Sequence, residues 1–599
     1  MALTLDVTSK TMKIKVLKGI DFALLRDNVK KLADKKPIYK FIDGSSSFSH
    51  WEVPISEFGN LVKFVGLKKI LPESDKAKAL IEDYRIACLP IDQLEPYTGE
   101  IVWKRLPKFQ EQEDFIRISV AKKRLIAAFS CGMGKSYVSL MRALVMGAQR
   151  VLVVGPSKNH YVTWRSEVEQ TTDWTSVKYH GTPAKRKKLR EAGFKDNVVF
   201  TTYTILHELV GQEFDFVIFD EAHTLAHKET KAFKNAQKML KSLPGVPLLL
   251  LSGTPILHKP RDLWALIHLI DPQMAGDFHT WTKRYEKVVQ TIVKKIPIKS
   301  GGEYQTDERG RIKLRTIEIP IKVVNQNTEE LADLTKSIIF RRKLSDHVKF
   351  KDRVEVEKVE MLPRQLEMYR EAREELYLEL SNKQLKLSSG ILGRITRFLQ
   401  ICEGCFNLDP TITDSAKYDL LFDELDNAQG KVIVWSRFLP GSKLLYEKYK
   451  DRAVLYNGEL TEHQRNVSIW NFQGCNNAQD QKEWEKLNKT SFKEPGQAQF
   501  MFGTMGDITA NLNLPACDYQ IVTSFLWNGS KVEQTLSRIK RLTQESDEVY
   551  SKIILCESPR NFEENAFKLM MSNHLTTLEI LDGKGDQGYI KAQELLKLI

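Results

Sequence analysis

The sequence predicts an α/β protein: two lobes, each a parallel sheet covered by helices, with a small α+β N-terminal domain in front and a helical/β-hairpin insertion between them. Three observations carry this expectation. Four near-continuous apolar runs, at 124–129, 151–154, 197–201 and 215–219, and a fifth at 247–251, are separated by helical segments. Strands that are apolar along their whole length belong to sheets buried on both faces. A second set of short apolar runs follows residue 415, in KVIVWSRF, AVLYNG, AQFMFGT, DYQIVTSF and VYSKIIL, again with helices between most of them. Finally, glycines and carboxylates follow directly on strands of the first set. The expected division is an accessory domain at 1–98, a first lobe at 99–285, the insertion and helical linker at 286–414, a second lobe at 415–570 and a tail at 571–599.

Composition agrees with several folded domains. The 599 residues are 42% hydrophobic and 28% charged, enough apolar content for large cores and too much for a disordered chain. Ninety Lys and Arg against 77 Asp and Glu give a net charge of +13, which favours a polyanionic partner over an acidic one. Seven scattered cysteines make no disulfide framework. The opening MALTLDVTSKTMKIK lacks an apolar signal core and no apolar run approaches a membrane span, so a soluble intracellular chain without a membrane partner is expected.

In the first 98 residues, 22–32 has helical periodicity, 37–42 alternates as a strand, 44–47 is a turn and FSHWEVPI (48–55) alternates again. A helix, a hairpin and a second helix from Ile55 onward are expected. Trp51 on that hairpin fits either a core position or a base-stacking one.

The first lobe carries its chemistry at strand ends. AAFSCGMGKSYVSL (127–140) reads as a buried strand, a loop and an amphipathic helix. Gly132 and Gly134, flanking Met133, admit backbone N–H groups to phosphates. Lys135 supplies a cation for the β and γ oxygens, and the Ser136 hydroxyl is placed to ligate Mg²⁺. Phe129 stands where the full phosphate-loop pattern has a further glycine, and GKS alone would equally suit a helix-capping turn. Downstream residues decide. The run 214–219 ends in Asp220-Glu221-Ala222-His223; a strand-end carboxylate such as Asp220 holds Mg²⁺ through water, and Glu221 orients or deprotonates the attacking water. PLLLL then ends in Ser252-Gly253-Thr254-Pro255. The set predicts a P-loop ATPase with RecA-like lobes, using ATP and Mg²⁺.

Alternation in TIVKKIPIK and RIKLRTIEIPIK around the turn-rich SGGEYQTDERG predicts a hairpin between about 286 and 325. Its Lys294, Lys295, Lys313 and Arg315 suit either a DNA grip or a charged edge that prevents strand pairing. A long charged helix is expected over 363–386. Cys402 and Cys405 form a solitary CxxC without the further ligands a zinc or iron–sulfur site needs. Lys185-Arg186-Lys187-Lys188 falls on a predicted helix, as a solvated face or a phosphate contact. The polar stretch 474–496 reads as an insertion without a legible role.

LPKFQ, GMGKS, VLVVGPSKNHYVTWRSEVEQ, YHG, TTYTIL, DEAH, LSGTPILHKPRDLWALIHLIDP and FRRK, with QTLSRIKRLTQ in the second lobe, closely resemble the Swi/Snf-type ATPases of helicase superfamily two. The resemblance covers roughly 104–570. It implies that Gln110 recognises adenine and Gln534 also faces ATP, and that Arg538 and Arg541 are arginine fingers on one helical face, reaching the γ-phosphate across a cleft between the lobes. His223, Ser252 and Thr254 would relay between sites. Pro156, Thr202, Ser436, Arg437, Asn511 and Trp527 would face the DNA. The fifth motif departs from the family: TMGDITANLNL places Asp507 and Thr509 where glycines are usual, and those glycines let backbone approach DNA and nucleotide. Within the family, the N-terminal domain and the NTEEL before FRRK resemble the HepA-related annealing helicases. The resemblance thus implies an ATP-driven translocase on double-stranded or branched DNA, in fork remodelling, annealing or recombination repair, with a possible replication, repair or transcription protein partner. Two alternatives stay open: an ATP-driven remover of protein complexes from DNA, and a hydrolysis-deficient DNA-binding scaffold.

Overall fold

Alternating residues at the very start of the chain pair two strands, β1 (Leu3–Val7) and β2 (Thr11–Val16), in antiparallel register from Leu3↔Val16 to Val7↔Met12. The expected helix–hairpin–helix has no place for them. With β3 (Lys40–Ile42), β4 (His50–Pro54) and β5 (Ile70–Pro72) they form a five-stranded sheet in the order β3-β4-β2-β1-β5. The expected hairpin is β3 and β4, and its register sets Trp51 opposite Phe41 and Ile14. The computed structural model describes residues 3–7, 11–16, 40–42, 50–54 and most of 70–590; within that last span 254–259, 305–313, 343–349, 382–388, 507–511 and 572–588 are the longer stretches outside it. The helix expected at 22–32, the turn at 44–47 and the start of the helix expected from Ile55 lie outside the described residues. A helix does follow, α1 (Asp75–Cys88), capped by the Ser74 side chain. Lys122 ties it to the first lobe, donating to the carbonyls of Ala87 and Leu89 at 2.9 and 2.8 Å.

The five predicted strands of the first lobe appear within one residue of expectation as β6 (Arg124–Phe129), β7 (Val151–Gly155), β9 (Val198–Thr202), β10 (Phe216–Phe219) and β11 (Leu248–Leu251), joined by a short β8 (Ser176–Lys178). Side chains alternate across the sheet: Leu125, Ala127 and Phe129 enter one buried cluster and Ile126 the other. Both faces are therefore core, which is why these strands read as unbroken apolar runs.

After the lobe, β12 (Glu286–Pro297) and β13 (Leu314–Asn325) form the expected antiparallel hairpin, with irregularities in register near Gln290. Its root is fixed by the Glu286 carboxylate on the Arg261 guanidinium. Tyr589–Ile590, within the stretch expected as a tail, pairs with Lys322 and Val323 of the hairpin.

The segment expected as insertion and linker does more than connect. Its β14 (Ile339–Arg342) runs parallel to β6 and closes the first sheet in the order β14-β6-β11-β10-β7-β9-β8. Its β15 (Lys351–Glu360) pairs in parallel along the whole of β20 (Glu548–Glu557) in the second sheet. One segment thus supplies an edge strand to each lobe. Edge strands are half-exposed and charged, and β15, KDRVEVEKVE, alternates accordingly, which hid both from a search for apolar runs. The charged helix that follows spans Pro363–Ser381.

The second sheet holds the five expected strands, β16 (Val432–Ser436), β17 (Ala453–Tyr456), β18 (Phe500–Thr504), β19 (Tyr519–Val522) and β20, in the order β15-β20-β19-β16-β18-β17, all parallel. The polar stretch 474–496 contains a helix, Ala478–Leu487, whose Trp484 packs on Val467 and Trp470 and donates its indole N–H to Asn471. Among the described residues no helix is long and apolar enough to cross a membrane.

Lys417 and Glu563 form a fully buried ion pair at 2.8 Å in this lobe, with Lys417 also donating to the Thr523 carbonyl and Glu563 accepting the Cys556 amide. Removing one partner of such a pair strands the other charge. Lys417→Met is expected to destabilise the lobe by about 3–5 kcal/mol in chemical denaturation, and adding Glu563→Leu to recover part of that loss. A change no larger than an exposed pair gives would contradict the role.

Candidate active site

The loop after β6 is shaped by what surrounds it. Phe129, in the position of the missing glycine, is the last residue of the strand and packs edge-on against Phe115, ring centroids 5.0 Å apart, with Phe340 of β14 on both. It belongs to the core, and the loop begins beyond it. Ser130 N–H is held by the Arg342 carbonyl of β14. Gly132 and Gly134 then take φ of 86° and 75°, left-handed values natural to glycine, and α3 (Lys135–Val145) starts at once. Met133 is buried between them, Ser136 opens the helix, and Lys135 Nζ donates to the Phe129 carbonyl at 3.1 Å.

One residue that motif reading passed over braces this loop. Gln112, buried on α2 (Gln110–Ser119), donates to the Met133 carbonyl at 3.1 Å and accepts the Lys108 amide at 2.8 Å. A Cβ on Gly134 would come within 2.3 Å of its Nε2. Gln110, at the exposed start of the same helix, donates to Asp114. The only sequence signal for Gln112 was its place on the inward face of α2, between Lys108 and Phe115.

The sheet order puts β11 between β6 and β10. Ser252, directly after β11, is fully buried and its N–H is held by the Ala127 carbonyl of β6, so it stands between the Lys135 loop and the carboxylates that follow β10. Asp220 Oδ2 accepts the Trp164 indole N–H at 2.9 Å and lies 3.3 Å from His160 Nδ1, and Oδ1 accepts the Glu221 amide at 2.9 Å. Glu221 itself is in the left-handed region, φ 49° and ψ 51°. Such a conformation is strained for a side-chain-bearing residue and persists only where the surroundings impose it. It brings Glu221 Oε2 to 3.2 Å from His223 Nδ1. Burial opposes the charge on Glu221; the His223 contact, with Lys135 and His160 farther out, outweighs it and holds the carboxyl well below its usual range.

These residues fit a nucleoside triphosphate with a divalent cation. At Gly134, with its φ of 75°, a Cβ would be strained and would displace the Gln112 amide. Glu221 Oε2 and His223 Nδ1 are buried and, though close, lack an aligned hydrogen bond, as expected of groups that await a water or phosphate oxygen. Lys135, Ser136 and Asp220 would hold the phosphates and the cation, whose charge would offset theirs.

The remaining expected residues are placed as follows. Pro156 is half-buried in the loop after β7. Thr202 and Ser436 are buried at strand ends, the Thr202 hydroxyl on that of the exposed Thr204 at 2.9 Å and the Ser436 hydroxyl donating to Glu403 at 2.6 Å. Arg437 reaches Thr396 at 3.4 Å. The helical placement expected of Arg538 is corrected: the helix Gly529–Leu536, on which Gln534 is half-buried, ends before it. Arg538 is buried in the following turn, donating to the Leu512 carbonyl at 3.4 Å. Thr254, Asn511, Trp527 and Arg541 lie outside the described residues, as do Asp507 and Thr509. Cys402 and Cys405 are fully buried, and burial pushes the Cys405 thiol up to about 11. In the basic run on α5 (Pro183–Glu191), Arg186 is engaged by Glu208 at 2.7 Å.

Glu403 was also unmarked in the sequence. Fully buried, it receives the hydroxyls of Ser436 and Thr523 at 2.6 and 2.8 Å and the Asn407 amide at 3.1 Å, pinning the C-terminal ends of β16 and β19 to one carboxyl; burial raises its pKa.

Gln112→Ala is expected to weaken binding of an ATP analogue about tenfold in equilibrium titration. Unchanged affinity would show that the loop keeps its shape without the brace.

The SNF2-related domain matches residues 17–406. The chain is 31% identical over 184 residues to the TATA-binding protein-associated factor mot1 of Schizosaccharomyces pombe, covering 29% of this chain and 9% of that protein. It is 21% identical over 433 residues to an uncharacterized ATP-dependent helicase of Mycoplasma pneumoniae, covering 70% and 35%. Over 179 residues it is 28% identical to the SWI/SNF-related matrix-associated actin-dependent regulator of chromatin subfamily A-like protein 1 of Drosophila melanogaster, covering 29% and 23%. The matched regions therefore span 35% of these relatives' own length at most. The Sulfolobus solfataricus SWI2/SNF2 ATPase core solved in complex with dsDNA aligns over 82% of this chain and 99% of its own, at 18% identity and a TM-score of 0.34. The family match spans well over half of the sequence and includes the whole of the first lobe: the chain belongs to the SNF2-related family.

Proposed function

We propose that the chain is a DNA-dependent ATPase that moves on double-stranded or branched DNA, with ATP and Mg²⁺ as cofactors. The observation that carries this reading is the placement of Lys135, Ser252 and the Asp220-Glu221 pair at the same ends of three neighbouring strands, β6, β11 and β10. Lys135 would neutralise phosphate charge, Glu221, held ionised, would orient the attacking water, and Mg²⁺ when bound would offset developing charge on the phosphates. Arg538 and Arg541 of the second lobe would complete the clamp when the lobes close, and reopening would shift one lobe along the DNA. The net charge of +13 supports a grip on phosphates that is salt-dependent and indifferent to sequence.

Rewinding, fork remodelling or recombination repair is the specific role we infer, with the N-terminal sheet as the part that selects the DNA structure. The local match to a protein named for its association with a DNA-bound factor favours a second reading, in which the same motor strips a protein from DNA. A hydrolysis-deficient scaffold is disfavoured at Phe129, which packs in the core and leaves the phosphate loop intact.

The test is ATP turnover of the pure protein titrated with single-stranded DNA, duplex, a model fork and RNA. Stimulation by duplex, and most by the fork, is expected, with Lys135→Ala and Glu221→Gln abolishing turnover but not DNA binding. Turnover that survives either substitution would overturn the site, and stimulation by RNA alone would overturn the substrate.

A further inference from the structure

Asp220 is gripped from a direction that the nucleotide reading leaves unused. The two side chains on its Oδ2, His160 and Trp164, lie one turn apart on one face of α4 (His160–Thr171) and are each only 2% exposed. A carboxylate only accepts, so His160 Nδ1 carries the proton in this contact. A carboxylate offers about four lone-pair directions; Trp164 and His160 use those of Oδ2 and the Glu221 amide uses one of Oδ1, leaving Oδ1 as the oxygen with capacity to spare. The Tyr203 hydroxyl fixes the Asp220 backbone carbonyl at 2.7 Å. Filling this space would need only an apolar ring. Two N–H groups aimed at one carboxylate oxygen instead set its orientation.

The same helix reaches the loop that follows β7. His160 is the first residue of α4, its N–H is held by the Ser157 carbonyl at 3.3 Å, and a Cβ on Gly155 would meet His160 Cβ at 3.4 Å. The end of β7, the first turn of α4 and the carboxylate pack together.

We propose that His160 and Trp164 are positioning residues that aim Asp220 at a divalent cation, so that the first turns of α4 set the cation affinity of the site. This rests on the nucleotide reading above and adds to it a determinant outside the phosphate loop and the DEAH segment. Partners of this kind typically change metal affinity without touching the metal.

The test uses the full chain and a fluorescent ATP analogue, with binding measured in EDTA and across a MgCl₂ titration. Trp164→Phe, which keeps a ring but deletes the N–H, and His160→Leu are each expected to raise the Mg²⁺ midpoint about tenfold with little change in Mg²⁺-free affinity. His160→Asn, whose amide nitrogen stands near the Nδ1 position, is expected to restore it. A wild-type midpoint in both Trp164→Phe and His160→Leu would overturn the proposal, as would failure of His160→Asn to rescue a weakened His160→Leu, which would make the packing of the ring the cause. Lys135→Ala separates the two readings: if it binds the analogue as the wild type does, the nucleotide site itself is misassigned and the proposal falls with it.

Discussion

The site turns on one constraint: two carboxylates must end a strand buried on both faces, and neither charge can be left without partners there. Asp220 and Glu221 are each 8% exposed, and a buried unpaired carboxylate is disfavoured by several kcal/mol or shifts its pKa until neutral. The two residues meet this differently. Asp220 surrounds its oxygens with N–H donors from α4 and from its neighbour. Glu221 relies on a left-handed backbone that turns it toward His223, a conformation that costs on the order of 1–3 kcal/mol and is imposed by the turn Ala222–Leu225 that follows. The result is an ionised Glu221 beside a fixed Asp220, with the Lys135 loop two strands away. The rest of the first lobe, from the central place of β10 to the aromatic cluster that carries Phe129, serves to hold those ends still.

The second lobe repeats the tactic with different residues. Its buried carboxyl, Glu403, ties the ends of β16 and β19 together, and the Lys417–Glu563 pair lies against the same Thr523. Each sheet thus keeps polar groups at the C-terminal ends of its strands, where loops emerge, while both faces stay apolar. Because β14 and β15 come from one segment, each lobe is closed by an edge strand drawn from the connection between them. A displacement of one lobe must therefore act on that segment.

What was legible in the sequence follows from the same physics. Doubly buried strands announce themselves as apolar runs, and five such runs in each lobe became strands, those of the first lobe within a residue of expectation. Motifs built on backbone geometry, Gly132 and Gly134 above all, were equally visible. Edge strands were not, because β14 and β15 carry the charges that edges need. Nor were the braces Gln112, His160, Trp164 and Glu403, since a buried polar residue whose partner is 20 or more positions away leaves no local pattern. Arg538 shows the converse error. Its spacing from Gln534 suited a helix, but a buried guanidinium that seeks the Leu512 carbonyl is served by a turn. Ser436 and Thr202 stand at strand ends, and the Ser436 hydroxyl is taken up by the buried Glu403.

Closure of the two lobes around ATP is the claim on which the rest depends, and distance measurement tests it most directly. Spin labels at Glu191→Cys and Lys450→Cys, exposed positions on the first and second lobes, report the separation by pulsed dipolar spectroscopy. The account predicts that an ATP analogue with duplex DNA shortens and narrows the distance distribution, and that Lys135→Ala abolishes the change. A distribution that stays the same while the analogue is demonstrably bound would contradict it.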